Sequence, residues 1–260
     1  VSTELDSITI YPIKACRGVR VQSAELVARG LADDRRYMLV DEAGRFITQR
    51  DEHSLARVDV EREGSGWRLT ASGLSPLFLA PSVGQGQLLP VEVWRSTVAA
   101  RVVPDASEWF SSFLGRACRL VYFPDLGRRA VEHERGHSVA FQDAYPFLVI
   151  SLESLADLNR RVAAPLEMER FRPNLVIRGV EAYAEESWTR FRIGQADFRM
   201  TRPCVRCVVT TLDPRSGERD TEPLRTLSGY HTYEGRPAFG MNAVHESVAP
   251  IRVGEPLIFQ

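Results

Sequence analysis

Short runs of β-branched and aromatic residues, each cut off by Gly, Pro, Asp or Asn, recur along the whole chain and leave little room for helices. Ile8-Thr9-Ile10, Arg36 to Asp41, Trp67 to Thr70, Val91 to Trp94, Cys118 to Phe123, Pro146 to Ile150 and Val253 to Ile258 all have this form, which predicts strands joined by turns. Arg36 to Asp41, then Glu42-Ala43-Gly44, then R-F-I-T-Q predict a hairpin. Three stretches break the pattern. Asp105 is expected to cap a helix with Trp109, Phe110, Phe113 and Leu114 on one face and Gly115 as its stop. Ser151 starts a second, with Leu152, Leu155, Leu158 and Val162 inward, that ends before Pro165, and Glu222 to Gly229 reads as a short helix begun by Pro223. The polar, arginine-rich stretch from Pro124 to Gly136 reads as a linker. A strand-dominated order with few helices predicts an α+β, mostly β, barrel-like fold.

The 260 residues, 44% hydrophobic and 26% charged, can bury one large or two modest cores. A net charge of −1 gives no general attraction to nucleic acid or to an anionic membrane, so any anion must be met by a local cluster of basic residues. Apolar runs are too short to span a bilayer, and Val1-Ser2-Thr3-Glu4 does not open a signal peptide. Four cysteines make no disulfide framework in a chain of this length, which points to a reducing, cytoplasmic setting.

Two of those cysteines, Cys204 and Cys207, sit in M-T-R-P-C-V-R-C-V-V-T-T-L-D-P. Thiolates are soft ligands and strong nucleophiles and are favoured in cationic surroundings, so a C-x-x-C beside Arg202 and Arg206 suggests metal or redox chemistry. A dithiol shuttle runs its second cysteine into a helix, whereas Val208-Val209-Thr210-Thr211 reads as strand. A structural zinc site needs a second ligand pair, and Cys16 and Cys118 are isolated. One thiolate at the start of a strand remains, with Asp213 to Gly217 as the following turn. Lys14 is the sole lysine among 33 basic residues. It lies in Y-P-I-K-A-C-R-G, where Pro12 and Gly18 bracket a tight loop, a setting in which backbone N–H groups and an ammonium can hold a phosphate. Arg172 and Asn174, in F-R-P-N-L-V-I-R-G, read alone as an ordinary surface turn. His133-Glu134-Arg135-Gly136-His137 matches H-E-x-x-H, but that zinc chemistry needs both histidines on one helix face, and Gly136 and the missing apolar face argue for a solvated loop.

Y-P-I-K-A-C-R-G, D-R-R-Y-M-L-V, P-F-L-V-I-S-L-E-S-L-A-D-L-N, F-R-P-N-L-V-I-R-G, Y-A-E-E-S-W and P-C-V-R-C-V-V-T-T-L-D-P together resemble MOSC-domain molybdenum proteins with the associated N-terminal β-barrel module. The likeness extends to the amidoxime-reducing components and bacterial reductases of N-hydroxylated compounds. It implies a β-rich module over 1–120, whose first strands, about 1–35, complete the barrel of a MOSC domain over 121–260. It implies a molybdenum cofactor, molybdopterin, with Cys207 as the metal thiolate and Cys204 as its neighbour. Lys14 and Arg35 would hold the pterin phosphate, Arg172, Asn174 and Arg206 would line the cofactor, and Asp143 would lie near the metal. The family usually has serine at Ala15, so one phosphate contact is absent. The implied activity is reduction of N-hydroxylated small molecules such as amidoximes and hydroxylamines. No cysteine follows Cys207, so electrons would come from a separate carrier: a cytochrome b5 type, a ferredoxin or a flavoprotein. A MOSC protein that carries cofactor or sulfur without turnover is the alternative, and a zinc hydrolase using the H-E-x-x-H segment a third.

Overall fold

The computed structural model describes residues 2–81 and 86–259. Its largest sheet has nine strands, ordered Val19–Val21, Glu4–Ile10, Leu175–Arg178, Phe147–Ser151, Arg236–His245, Ala196–Val205, Arg190–Ile193 and Leu257–Phe259, with Thr232–Tyr233 added beside Arg236–His245. The sheet curls until its ends meet: Leu257 N–H donates to Thr3 O at 3.0 Å and Gly254 N–H to Leu5 O at 2.8 Å. Side-chain alternation assigns its two faces. In Phe147–Ser151 the odd positions Phe147 and Val149 join Leu5, Ile8, Phe191 and Phe198 in the interior, while Leu148 and Ile150 pack outward under α2 (Leu152–Asn159) with Leu158 and Phe171.

Earlier residues build a four-stranded sheet, Leu88–Val93, Ser96–Val103, Arg119–Tyr122 and Tyr37–Val40, and a three-stranded one, Asp59–Glu63, Gly66–Thr70 and Leu77–Leu79. Tyr37–Val40 is buried throughout because it too serves two cores, Tyr37 and Leu39 on one side and Met38 and Val40 on the other. Helix α1 (Pro104–Leu114) covers the first of these with Phe110.

Several sequence expectations shift. Helix α1 starts on Pro104 with Val103 as cap and Asp105 inside the first turn, since proline at the first helical position loses no bond it would have made. Gly115 ends it in the left-handed region, φ 64°. Ser151 caps α2 as expected, its side chain accepting from Ser154 N–H, but the helix stops at Asn159 and leaves Leu152 exposed. The hairpin across Gly44 forms, with the bridge Val40 to Phe46 flanked by Asp41 N–H donating to Arg45 O at 2.9 Å and Ile47 N–H to Leu39 O at 2.8 Å, but its second arm is too short to count as a strand. Of Val253 to Ile258, only the end is strand, within Leu257–Phe259.

Two corrections bear on function. The supposed linker holds a small hairpin of Ala130–Val131 and Glu134–Ser138, so His133 and His137 share no helix face and the zinc-peptidase arrangement does not form. Val208–Thr211 is a 3₁₀ turn rather than a strand. The ladder with Arg236–His245 ends at Val205, and the threonines fold back, Thr210 Oγ1 donating to Cys207 O at 2.9 Å and Thr211 Oγ1 to Val208 O at 2.8 Å. Cys207 therefore follows a strand instead of opening one.

Candidate functional site

Lys14, Ala15, Arg35, Asp143, Arg172, Asn174, Arg206 and Cys207 all line one cavity of about 370 Å³. They arrive on turns at the ends of strands from both parts of the chain. Ala15, Arg35, Arg172 and Trp94, all at this cavity, have φ of 74°, 48°, 57° and 54°. Left-handed backbone costs a non-glycine residue on the order of 1–3 kcal/mol, and such strain collects where a fixed geometry is needed. A backbone and a side-chain bond hold it in place: Arg35 N–H donates to Tyr11 O at 2.7 Å, and the Gln49 side-chain Nε2 donates to Ala15 O at 2.5 Å.

The cavity is built for negative charge. Among the described residues, eight cationic side chains line it, Lys14 and Arg35, Arg50, Arg170, Arg172, Arg202, Arg206 and Arg236, against the single carboxylate of Asp143. Arg35 is fixed by the fully buried Asp34 at 2.7 Å and by Asn174 Oδ1 at 3.1 Å. The guanidinium carbons of Arg35 and Arg172 each lie 4.3 Å from the Tyr11 ring centroid. Burial pushes the Tyr11 phenol up to about 12, against the pull of those two cations. Arg172 Nη1 donates to Cys16 O at 2.8 Å. Arg206 Nη2 donates to Phe171 O at 2.6 Å and Nη1 to Cys204 Sγ at 3.0 Å, leaving its buried Nε without a partner.

Lys14 is buried, donates to Phe141 O at 2.8 Å and forms an ion pair with Asp143. Burial lowers the Lys14 pKa, opposed by Asp143. The Asp143 side chain is open to the cavity on one side, 58% exposed, and hemmed in by protein on the other. That enclosure disfavours its charge, but Lys14, the Trp94 indole N–H at 3.0 Å and Arg50 outweigh it and hold the carboxyl well below the ordinary aspartate range. Beneath lies a buried lattice in which Arg129 donates to Gln142 O at 2.9 Å and Gln142 Nε2 to Asp34 O at 3.2 Å.

Arg50 and Trp94 escaped the sequence reading. Arg50 Nη2 lies 3.3 Å from Cys207 Sγ. Nothing local in the sequence marks either residue: Arg50 is one arginine among many, and Val91 to Trp94 reads only as a strand. Cys16 is fully buried and its thiol is pushed up to about 12 by burial, so it is inert packing.

Among the described residues, no three or more His, Cys, Asp or Glu side chains stand together as a metal cluster. A metal bound at Cys207 would need further ligands from a bound group. An anionic cofactor with soft donor atoms fits this donor set: surplus cations, an orphaned guanidinium N–H and two half-buried sulfurs, Cys204, which accepts from Arg206, and Cys207.

The chain matches the MOSC N-terminal beta barrel domain over residues 2–117 and the MOSC domain over residues 136–258. It is 36% identical to mitochondrial amidoxime-reducing component 1 of Mus musculus, over 95% of this chain and 79% of that protein. It is 33% identical to mitochondrial amidoxime reducing component 2 of Bos taurus, over 97% of this chain and 82% of that one. Among the described residues no helix is long and apolar enough to cross a membrane.

Proposed function

This chain belongs to the family of the amidoxime-reducing components, with their MOSC N-terminal and MOSC domains, and we propose that it is a molybdenum-cofactor-dependent reductase of N-hydroxylated small molecules. The observation that carries the reading is the joining, in one cavity, of the Cys207 sulfur with an excess of cationic side chains over one carboxylate. Arg35, Arg172 and Lys14 would hold the cofactor phosphate, Asn174 and Arg206 would line the pterin, and Cys207 would ligate the metal. Bound there, the cofactor supplies a two-electron couple suited to removing oxygen from an N–OH group.

The chain's own side chains do the rest. Asp143, ionised at neutral pH, accepts a hydrogen bond from a substrate N–H or takes a proton in relay rather than giving one up as a free acid. Lys14, which touches it, is the adjacent proton source, and an anion that takes Lys14 must compete with Asp143 for it. Ala15 has no hydroxyl to donate, and its carbonyl already accepts from Gln49, so the phosphate is held by charge more than by hydroxyl bonds. Electrons come from a separate cytochrome b5 type, ferredoxin or flavin carrier, and the setting is cytoplasmic.

The test is expression in a host that makes the cofactor, followed by metal analysis and turnover of an amidoxime with a chemical reductant. About one molybdenum per chain with amine release supports the reading. Molybdenum without turnover favours a carrier of cofactor or sulfur, and absence of molybdenum overturns both. Cys207→Ser should abolish turnover while Cys204→Ser keeps most of it, because a dithiol mechanism would need both sulfurs and a metal thiolate only one. Equal losses in the two variants would refute the assignment of Cys207.

A further inference from the structure

Trp94 occupies a position its backbone should refuse. Val93 and Ser96 pair at the tip of the Leu88–Val93 and Ser96–Val103 hairpin, leaving Trp94-Arg95 as a two-residue turn whose first residue has φ 54°. Glycine is the usual occupant of such a place, and a bulky residue there is an outlier. The indole is about half exposed, so burial does not account for it. Its contacts do. Its Nε1–H donates to Asp143 at 3.0 Å, its ring lies 5.2 Å from Phe46, and the Arg50 guanidinium carbon lies 4.8 Å from its centroid. Arg50 in turn reaches Cys207 Sγ at 3.3 Å. One indole thus connects both side chains assigned chemistry above, and both connecting residues come from the part that matches the N-terminal domain.

We infer that Trp94 and Arg50 are positioning residues for the reaction: the N-terminal part reaches across with this stacked pair to orient Asp143 and the Cys207 sulfur, and the strained turn is kept for that purpose. The inference rests on the reading of Asp143 and Cys207 under Proposed function. It also explains why arginine stands at 50: its flat guanidinium can lie on the indole while one N–H points at sulfur, which a lysine cannot do in the same way.

A residue kept for function at a cost in strain has a signature that packing alone does not give. Trp94→Gly should unfold at the parent's temperature or above it, because the turn is relieved, yet lose at least tenfold in kcat with the amidoxime KM within threefold. Trp94→Phe, which keeps the ring and loses the N–H, should lower kcat severalfold with molybdenum content unchanged. Arg50→Met should change the Mo(V) electron paramagnetic resonance signal of the partly reduced protein, and Arg50→Lys should restore the parent signal only in part. Parent kcat in Trp94→Gly, or loss of stability in step with activity, would overturn the role of Trp94. A parent spectrum in Arg50→Met would overturn that of Arg50. Should the parent bind no molybdenum, the reductase reading fails by itself, and denaturant unfolding of Trp94→Phe, Asp143→Asn and the double variant decides this one: coupled losses support the contact and additive losses refute it.

Discussion

Two arginine-lined hollows adjoin in this molecule, sharing Gln49, Arg170, Arg172 and Val209 in their common wall, and they differ in what the arginines do. In the smaller groove, of about 230 Å³, the charges are spent on one another: Arg20 pairs with Glu169 at 2.6 Å, Arg215 with Glu167 at 2.6 Å, Arg17 with Asp59 at 2.6 Å and Arg170 with Asp213 at 3.1 Å. In the larger cavity Arg172 and Arg206 lean on backbone carbonyls, and Arg35, whose carboxylate is buried behind it, faces inward over Tyr11. Arginine content alone therefore does not mark an anion site. What marks it is guanidinium charge like that of Arg172 and Arg206, held in place by carbonyls that do not cancel it.

The sharpest break of that comparison is to remove the support. Asp34→Ala leaves Arg35 buried without its counter-charge and should destabilise the protein by about 3–5 kcal/mol in denaturant titration. A loss under about 1 kcal/mol would mean that Arg35 is not fixed by Asp34. Next, Arg172→Ala and Lys14→Ala should each cut molybdenum retained after dialysis at least tenfold, whereas Cys16→Ala, a small buried change, should keep most of it. Equal retention in Lys14→Ala and Cys16→Ala would remove Lys14 from the anion site.

A smaller effect comes from a third place. His231 Nε2 lies 3.0 Å from Glu186 Oε1, and its Nδ1 lies 2.8 Å from Ala238 O. Burial lowers its pKa, but these two partners more than offset that and raise it above the ordinary histidine value. The stabilisation is therefore fully present below the unfolded pKa, about 6.5, and is lost as pH rises through the folded value. Stability should fall over that window in the parent and stay flatter in His231→Gln, with molybdenum retention the same in both. Smallest of all, Arg20→Ala and Arg215→Ala in the groove should shift stability by less than about 0.5 kcal/mol, as exposed ion pairs do, and retention by less than twofold. A large loss of retention in either would erase the distinction between the two hollows.

Strands and turns were legible because each is set by a few neighbouring residues: the Ile8-Thr9-Ile10 alternation, the Ser151 cap and Gly115 can be read without the rest of the chain. Cys207 was placed on the wrong element for a related reason. Val208 to Thr211 has the composition of a strand, but a strand needs a partner, and the threonine hydroxyls found local carbonyls where the ladder ended. Lys14 stood out by rarity and the other site residues by resemblance. Arg50 and Trp94 carry no local mark, since their meaning lies in contacts 157 and 49 residues away along the chain.

The strand Glu4–Ile10 lies between Val19–Val21 and Leu175–Arg178 in the great sheet. During synthesis this gives the molecule a timetable. Glu4–Ile10 leaves the ribosome well before its second neighbour, Leu175–Arg178, because both smaller sheets are made between them. Until then Leu5, Ile8 and Ile10 have no interior to enter, and a long loop must close before that pairing can form. Lys14 and Cys207 share this history, belonging to opposite ends of the waiting period. Whatever fills the cavity between them can do so only after Cys207 too has been made and the strands that carry the two residues have paired, so loading is an event of the folded chain.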